Sequence, residues 1–247
     1  MEIANFFWGG QLSELEKNCM KSFYRNGFKV KLWSYDDIQL ENIETCDANL
    51  VMPKKIVLPQ ETNGKTEEES SLASFSDYFR LKVVSIYGGW YFDADCFCLK
   101  DASEFELIRK DKSIVSAKIE DKNSPHHVMN GAFWLDESLS KKIIEEFEQF
   151  IDNSEKEIKS YGFFGPEFFT NFVYRNNLYE EILPSEIFYA MHWTESLLMT
   201  SPENLEIAID RTKNSLLTHI WTTPFNANGV DKNNPSKGSF LDMLYSK

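Results

Sequence analysis

The sequence predicts one α/β domain over residues 1–247, with a Rossmann-like, mainly parallel central sheet flanked by helices. Three observations support this prediction. The length of 247 residues suits one large domain, and a hydrophobic share of 42% is enough for a core. Residues 3–33 have the pattern of a strand, a helix and a second strand, and such β-α-β units give parallel sheets. Residues 72–92 add another helix followed directly by a strand.

The first β-α-β unit has clear boundaries. Residues 3–8 form a short apolar run before two glycines, which predicts a strand and a turn. Residues 12–24 carry apolar side chains at the spacing of a helix, with Ser13 as the expected N-cap and Glu16 as its capping-box partner. Residues 28–33 alternate apolar and basic side chains, which is the pattern of a half-buried strand.

A second helix leads to a pair of aspartates. Residues 72–87 repeat apolar side chains at helical spacing, and two glycines end the predicted helix. Residues 90–92 then form an apolar strand that runs into Asp93 and Asp95. Because α/β proteins bind ligands beyond the carboxyl ends of their strands, we expect both carboxylates at the ligand-binding edge of the sheet.

The remainder of the chain predicts shorter elements. We expect strands at 113–117, 131–135 and 216–221, and helices at 138–151 and 166–176. Polar stretches at 61–71 and 226–237 indicate loops.

Composition narrows the classes of partner. The net charge is −13 and the lysines are scattered among acids, so we expect no nucleic-acid partner. A phosphate-bearing ligand would then need local positive charge, which a divalent cation can supply. No apolar run approaches the roughly 18 residues of a membrane span, and the N-terminus is too short and acidic for a signal peptide. We expect a cytoplasmic protein, with peripheral contact at the inner face of the membrane left open.

Asp93 and Asp95 are the predicted metal ligands. Two carboxylates two residues apart can hold a hard divalent cation together with phosphate oxygens, and both Mg²⁺ and Mn²⁺ prefer such ligands. A solvated turn with two aspartates is the alternative. The preceding helix favours a site, because Asp77 and Arg80 share one of its faces at i, i+3 spacing. That pair suits sugar hydroxyls, although it also fits an ordinary helix ion pair.

Histidines and cysteines give no second metal site. His126 and His127 are adjacent, so on an extended segment they point to opposite faces, and we interpret them as loop histidines. Cys96 and Cys98 are close in sequence on a predicted strand, but the four cysteines lack the spacing of a zinc site. We interpret the cysteines as free thiols.

Two regions resemble glycosyltransferase family 32. Residues 76–80 (SDYFR) and 86–95 (IYGGWYFDAD) are similar to the DxD sugar-binding region of that family, which includes bacterial capsule and lipopolysaccharide enzymes. Residues 6–11 (FFWGGQ) resemble the aromatic strand and Trp-x-Gly-Gly turn of the catalytic domains of large clostridial glucosylating toxins. The resemblance implies a GT-A type fold, a nucleotide-sugar donor, a Mn²⁺ (or Mg²⁺) cofactor and retention at the anomeric carbon.

The resemblance also implies roles for individual residues. Trp8 would stack on the donor base, and Asp77 and Arg80 would grip the donor sugar. Asp93 would contact the ribose or sugar and help to bind the metal, which Asp95 would bind directly. The expected catalytic residues are Arg80, Asp93 and Asp95. The expected donor-binding residues are Trp8, Asp77, Arg80, Tyr91, Asp93, Asn130, Gly131 and Trp221.

Three later segments fit the resemblance less tightly. Asn130 and Gly131 resemble an Asn-Gly segment that approaches the donor sugar, and residues 162–167 (GFFGPE) resemble a Gly-x-Gly-Pro loop. Residues 217–221 (LTHIW) resemble a C-terminal His-x-Trp, in which His219 would complete the metal shell and Trp221 would close over the phosphates. A buried strand with a structural His and Trp is the alternative. Asn5 stands where a His often precedes the aromatic strand.

The expected function is metal-dependent transfer of a hexose, with a UDP-linked donor favoured over GDP-mannose. The expected acceptor is a saccharide or lipid-linked oligosaccharide in bacterial surface polysaccharide synthesis, and residues 216–247 would close over the donor site. Glu167 is a candidate nucleophile, because it follows the Gly-Pro loop; the alternative is that the leaving phosphate deprotonates the acceptor. Other open functions are an effector that glycosylates a protein, a metal-dependent nucleotidyltransferase or phosphatase, and a non-catalytic carbohydrate-binding protein.

Overall fold

The computed structural model describes residues 1–54, 67–121, 124–153 and 162–246. Its strands are β1 (Ile3–Phe7), β2 (Lys29–Ser34), β3 (Glu44–Asp47), β4 (Trp90–Phe92), β5 (Cys96–Cys98), β6 (Ile114–Val115), β7 (Lys118–Asp121), β8 (Ser124–Val128), β9 (Ala132–Leu135) and β10 (Leu217–His219). Its α-helices are α1 (Glu14–Arg25), α2 (Glu67–Tyr87), α3 (Ala102–Arg109), α4 (Glu137–Asn153), α5 (Phe168–Arg175), α6 (Leu205–Thr212), α7 (Thr222–Ala227) and α8 (Phe240–Tyr245). Short 3-10 turns connect several of them.

A six-stranded sheet forms the centre, in the order β3-β2-β1-β4-β9-β6. The β3-β2, β2-β1 and β1-β4 pairs are parallel, and β9 runs antiparallel between β4 and β6. The prediction of a mainly parallel sheet flanked by helices is therefore confirmed. Since β1 and β4 are parallel neighbours, Trp8 and Asp93 leave their strands at the same edge of the sheet.

Side chains alternate between two apolar layers, as period-2 strands require. On β1, Phe7 packs with helices α2, α4 and α5, whereas Phe6 packs with α1 and α3 on the opposite face. On β4, Tyr91 belongs to the first layer and Trp90 to the second. A third cluster joins α1 to α8 and to the turns near Met199. These layers hold the end of β4 rigidly from both sides.

The N-terminal elements match their predictions closely. Ser13 caps α1, accepting a hydrogen bond from the Leu15 backbone, and Glu16 accepts one from the Ser13 backbone N–H at 2.8 Å. Gly88 and Gly89 both follow α2 with positive φ. A Cβ at Gly89 would lie 2.9 Å from the Ile3 carbonyl, so a glycine is needed where the helix turns back onto β1.

Later elements differ more from their predictions. The loop interpretation of His126 and His127 was wrong, because both residues lie on β8, paired with β7. The helix predicted from residue 166 begins at Phe168, because an irregular turn occupies residues 163–167. The strand predicted to 221 ends at His219, and the loop predicted from residue 226 begins inside α7. The loop predicted at 61–71 lies outside the described residues up to 66, and α2 includes the remainder.

Within the described ranges, we find no helix that is both long enough and apolar enough to cross a membrane.

Candidate functional site

The turn after β4 presents the two predicted aspartates. Asp93 donates its backbone N–H to the Gly131 carbonyl at 2.7 Å, and its own carbonyl accepts the Cys96 N–H at 2.9 Å. This tight turn leaves the side chains of Asp93 and Asp95 at 26% and 16% exposure. They are thus reachable by a ligand, yet lie in a largely buried setting that strengthens electrostatic contacts.

A second, two-stranded sheet brings His219 to these carboxylates. Strand β10 pairs antiparallel with β5, which places His219 opposite Cys96, and the Ile220 N–H donates to the Asp95 carbonyl at 2.9 Å. His219 Nε2 lies 3.2 Å from Asp95 Oδ1 and 3.7 Å from Asp93 Oδ2. One ligand atom from each of the three side chains lies within 4.8 Å of the others.

This donor set fits a divalent cation. Neighbouring ligands in an octahedral shell with bonds of about 2.1 Å lie about 3 Å apart, close to the spacing here. His219 is buried, and neither of its ring nitrogens makes a hydrogen bond within the described part of the chain. The other carboxylate oxygen of Asp95, Oδ2, accepts the Thr222 N–H at 3.0 Å and the Thr222 hydroxyl at 3.1 Å. Such outer contacts orient a metal ligand.

Burial and neighbouring charges shift the pKa values of Asp95 and His219. Burial opposes ionisation of Asp95, but His219 and the Thr222 hydrogen bonds outweigh it and hold the pKa of Asp95 well below its usual range. Burial likewise opposes the charged form of His219, yet the charges of Asp95 and Asp93 raise its pKa to about 9. The two shifts share one cause, since an imidazolium at His219 and the carboxylate of Asp95 stabilise each other's charged forms.

Arg80 lies on helix α2 and links this helix to the triad formed by Asp93, Asp95 and His219. Its NH2 lies 3.0 Å from Asp93 Oδ1, and its NH1 donates to the Asn130 carbonyl at 2.9 Å. The guanidinium also lies over the Tyr91 ring, 5.0 Å from its centroid. Burial lowers the pKa of Arg80, but the charge of Asp93 more than compensates and raises it. Arg80 is thus a fixed, permanently charged fork beside the aspartates.

Asp77 and Asn130 extend this network away from the triad. Asp77 Oδ1 lies 3.5 Å from Arg80 NH2 and accepts the Asn130 Nδ2 hydrogen at 2.9 Å. Asp77, Arg80 and Asn130 are all buried. The helix ion pair that we considered as an alternative is therefore present, but it is one contact in a buried network rather than an exposed pair.

Glycines bring the backbone close to the carboxylates at two points. A Cβ at Gly131 would lie 2.7 Å from Asp93 Oδ2 and 3.4 Å from His219 Nε2. A Cβ at Gly165 would lie 2.5 Å and 2.6 Å from the two oxygens of Asp77. A side chain at either position would displace the carboxylate next to it.

Two aromatic rings, those of Trp221 and Tyr189, lie close to His219. The Trp221 ring contacts His219 edge to face at 4.0 Å, and Tyr189 lies 5.6 Å from Trp221 and 5.8 Å from His219. Trp221 has a φ of +60°, uncommon for a residue other than glycine, and its indole N–H donates to the Met191 carbonyl at 2.8 Å. Trp221 is thus outside the strand, unlike in the alternative that we considered.

Trp8 and Asn5 have different surroundings. Trp8 is partly buried, and its indole N–H reaches the Gln11 carbonyl at 3.4 Å. Asn5 is fully buried; its amide donates to the Gly88 and Trp90 carbonyls and accepts the Trp33 indole N–H. The residue that departs from the resemblance thus has a structural position between strands.

The structure brings together most of the predicted site residues. Seven of them form one connected set, namely Asp77, Arg80, Asp93, Asp95, Asn130, Gly131 and His219. Trp221 touches this set through His219, whereas Trp8 shares only its edge of the sheet. Sequence analysis missed Thr222, the contact of Gly165 and the position of Tyr189. Of these three residues, only Gly165 lies in a motif that the sequence had indicated, the Gly-x-Gly-Pro loop.

Comparison with known proteins agrees with this site. Residues 15–115 match a family model described as the glycosyltransferase sugar-binding region containing the DXD motif. That range contains four of the connected residues, Asp77, Arg80, Asp93 and Asp95. No curated protein matches the chain in sequence.

Several solved glycosyltransferases are similar to this chain at low sequence identity. The apo form of GlyE from Streptococcus pneumoniae TIGR4 is 11% identical, with a TM-score of 0.50, over 96% of this chain and 65% of that one. The PaToxG glycosyltransferase is 14% identical, with a TM-score of 0.48, over 99% and 85%. Galactosyltransferase LgtC, solved with donor and acceptor sugar analogs, is 13% identical, with a TM-score of 0.45, over 99% and 95%.

Residues 15–115 thus carry the DXD-containing sugar-binding region of glycosyltransferases, and the chain shares the fold of a solved glycosyltransferase, GlyE.

Proposed function

We propose that this protein is a glycosyltransferase that moves a hexose from a nucleotide-sugar to a saccharide acceptor in a reaction that requires Mn²⁺ or Mg²⁺. The observation that carries the proposal is the partly buried junction at Asp93. Its carboxylate lies beside His219 and Asp95 on one side and beside Arg80 on the other. A cation site and a fixed cationic fork therefore share one carboxylate, as an enzyme acting on a sugar diphosphate requires.

Asp93, Asp95 and His219 would hold the cation, which when bound neutralises negative charge on the departing diphosphate. Thr222 keeps the Asp95 carboxylate turned toward His219 by occupying its other oxygen. Arg80 fixes Asp93 through an ion pair that cannot lose its proton near neutral pH. These residues supply a site that is organised before the donor arrives.

The sugar subsite would lie along Asp77, Arg80 and Asn130. Asp77 lies beside Arg80 and accepts the Asn130 amide N–H, and Arg80 donates to the Asn130 carbonyl, so the three residues restrain one another. A buried hydrogen-bonding site of this kind discriminates strongly between sugars, since the wrong hydroxyl pattern leaves buried groups unpaired. Trp8, at the same edge of the sheet, would stack on the base.

The finer assignments are part of the same proposal. We favour UDP over GDP as the nucleotide, retention at the anomeric carbon, and a lipid-linked oligosaccharide or other saccharide acceptor in bacterial capsule or lipopolysaccharide synthesis. We place the protein in the cytoplasm, with peripheral contact at the inner face of the membrane as the alternative. We treat residues 1–247 as one catalytic domain whose segment 216–247 closes over the donor. Support for that closure comes from Thr222 and His219, which both contact Asp95.

The test is hydrolysis of a nucleotide-sugar panel with and without Mn²⁺. Wild type should release UDP or GDP from one donor in a Mn²⁺-dependent manner. Asp95→Asn should abolish the release, whereas Asp210→Asn, at a side chain that is 74% exposed, serves as the matched control and should retain it. Release of pyrophosphate or free phosphate would instead support a nucleotidyltransferase or phosphatase. Sugar binding that is indifferent to Mn²⁺ and to Asp95→Asn would indicate a binding protein.

Acceptor class and stereochemistry need separate assays. Lipid-linked oligosaccharides should accept the sugar, whereas labelling of proteins alone would favour the effector function. An NMR spectrum showing inverted anomeric configuration in the product would refute retention.

A further inference from the structure

The turn before α5 is built to approach another part of the chain closely. Within residues 162–167, the N–H groups of Gly165 and Glu167 both donate to the Gly162 carbonyl at 3.1 Å. Phe163 stacks on Phe150 at 4.9 Å, and Phe164 is buried in the layer of α2 and α4. Aromatic packing thus anchors the turn immediately before Gly165.

Gly165 lies directly against the carboxylate of Asp77. A Cβ at this position would lie 2.5 Å and 2.6 Å from the two oxygens and 2.7 Å from Cγ. Real Cβ atoms essentially never approach another heavy atom within 3.0 Å. The φ of Gly165 is −101°, outside the left-handed region, and the contact with Asp77 by itself excludes a side chain.

We propose that Gly165 is a positioning residue for the donor sugar, because its bare Cα lets the 162–167 turn close on Asp77 and fix the direction of that carboxylate. Three restraints meet there. Helix α2 sets the Asp77 backbone, Asn130 holds Oδ1 at 2.9 Å, and the Gly165 backbone limits the remaining rotation. This inference rests on the proposed function, in which Asp77 grips the sugar.

The turn is then a wall of the sugar subsite and not of the cation site. A methyl group at 165 has to push the Asp77 carboxylate, which disturbs its contacts with Asn130 and Arg80. Besides the ion pair between Arg80 and Asp93, the cation ligands have contacts that do not involve Asp77: Thr222 donates to Asp95, and the Asp93 N–H donates to the Gly131 carbonyl. The sugar should therefore lose affinity while the cation and the nucleotide do not.

The experiment compares binding of the preferred nucleotide-sugar and of its free nucleoside diphosphate, both with Mn²⁺, by isothermal titration calorimetry. In wild type the sugar should add affinity over the diphosphate alone. Gly165→Ala should weaken nucleotide-sugar binding at least tenfold and leave diphosphate and Mn²⁺ binding within about twofold. Equal binding of the nucleotide-sugar by wild type and Gly165→Ala would overturn the inference. Absence of Mn²⁺-dependent diphosphate binding in wild type would instead overturn the proposed function.

A double-mutant cycle tests the contact itself and remains informative if Gly165→Ala folds poorly. Removing the carboxylate with Asp77→Ala should make room for the methyl, so Gly165→Ala should lower the urea midpoint much less in that background than in wild type. Asp77→Asn is the matched control, because Asn has the same size and should preserve the full effect. Additive midpoint shifts in the Asp77→Ala background would refute the contact as the cause.

Discussion

Cation binding at His219 should release a proton and strengthen steeply with pH. The pKa of His219 is raised to about 9, because the charges of Asp95 and Asp93 outweigh its burial. A cation binds only the neutral imidazole, so at pH 7 it must displace a proton. The pKa of His219 lies about two units above this pH. Each unit corresponds to about 1.4 kcal/mol, which gives an affinity about 100-fold, or about 3 kcal/mol, below the high-pH limit.

The assay is calorimetric titration with Mn²⁺ at pH 6, 7 and 8, in buffers of different ionisation enthalpy. Close to one proton per ion should be released at pH 7, and affinity should rise about tenfold per pH unit. Asp95 does not contribute to this slope, because its pKa lies well below its usual range. His219→Gln keeps a polar side chain without the proton and should give a flat profile. Affinity independent of pH in wild type, or an unchanged slope in His219→Gln, would refute the reasoning.

His219 should also make the stability of the metal-free protein depend on pH. This stability should fall as pH rises, whereas cation affinity should increase. The folded pKa of His219 lies above its ordinary value of about 6.5, so its contribution is fully present below that pH and is lost as pH rises toward 9. The loss should approach about 3 kcal/mol. Urea unfolding between pH 6 and 9 with a chelator present measures it, and His219→Gln should remove most of the slope.

Three further substitutions test the surrounding network. Asn5→Ala leaves two buried carbonyls and an indole N–H unpaired, and should lower the free energy of unfolding by about 2–4 kcal/mol in urea titrations. Arg80→Lys keeps the charge but loses the fork, and should reduce kcat for nucleotide release about 100-fold with an unchanged circular dichroism spectrum. Gly131→Ala places a methyl 2.7 Å from Asp93 Oδ2, and should weaken Mn²⁺ affinity at least tenfold in titrations of the folded protein.

Local patterns predicted the half of the site that lies before residue 96. Asp77 and Arg80 share a face because of helical spacing, and Asp93 follows a strand that two glycines align with helix α2. These relations act over a few residues, so propensity and periodicity determine them. The same holds for the capping box of Ser13 and Glu16.

The other half depends on contacts that no local pattern encodes. Thr222 binds Asp95 across 127 residues of sequence, and the Asn130 amide reaches Asp77 across 53. The β7-β8 hairpin escaped prediction because its two histidines and Pro125 resemble loop composition, whereas pairing between the two strands decided the outcome. For Gly165, the sequence shows a glycine near a proline but not what the glycine touches.

The residues set by local patterns and those set by distant contacts contribute different parts of the site. The region that matches the family model ends at residue 115 and holds both aspartates of the motif, but not His219. Strand β10 must pair with β5 before His219 reaches Asp95, so the cation site is complete only when the C-terminal part of the chain is docked. The sugar-facing network likewise needs Asn130 and Gly165 from beyond that region. The motif therefore supplies the carboxylates and Arg80, whereas the later segments supply His219, Asn130 and Gly165, which in the proposed function would decide how tightly a cation and a sugar are held.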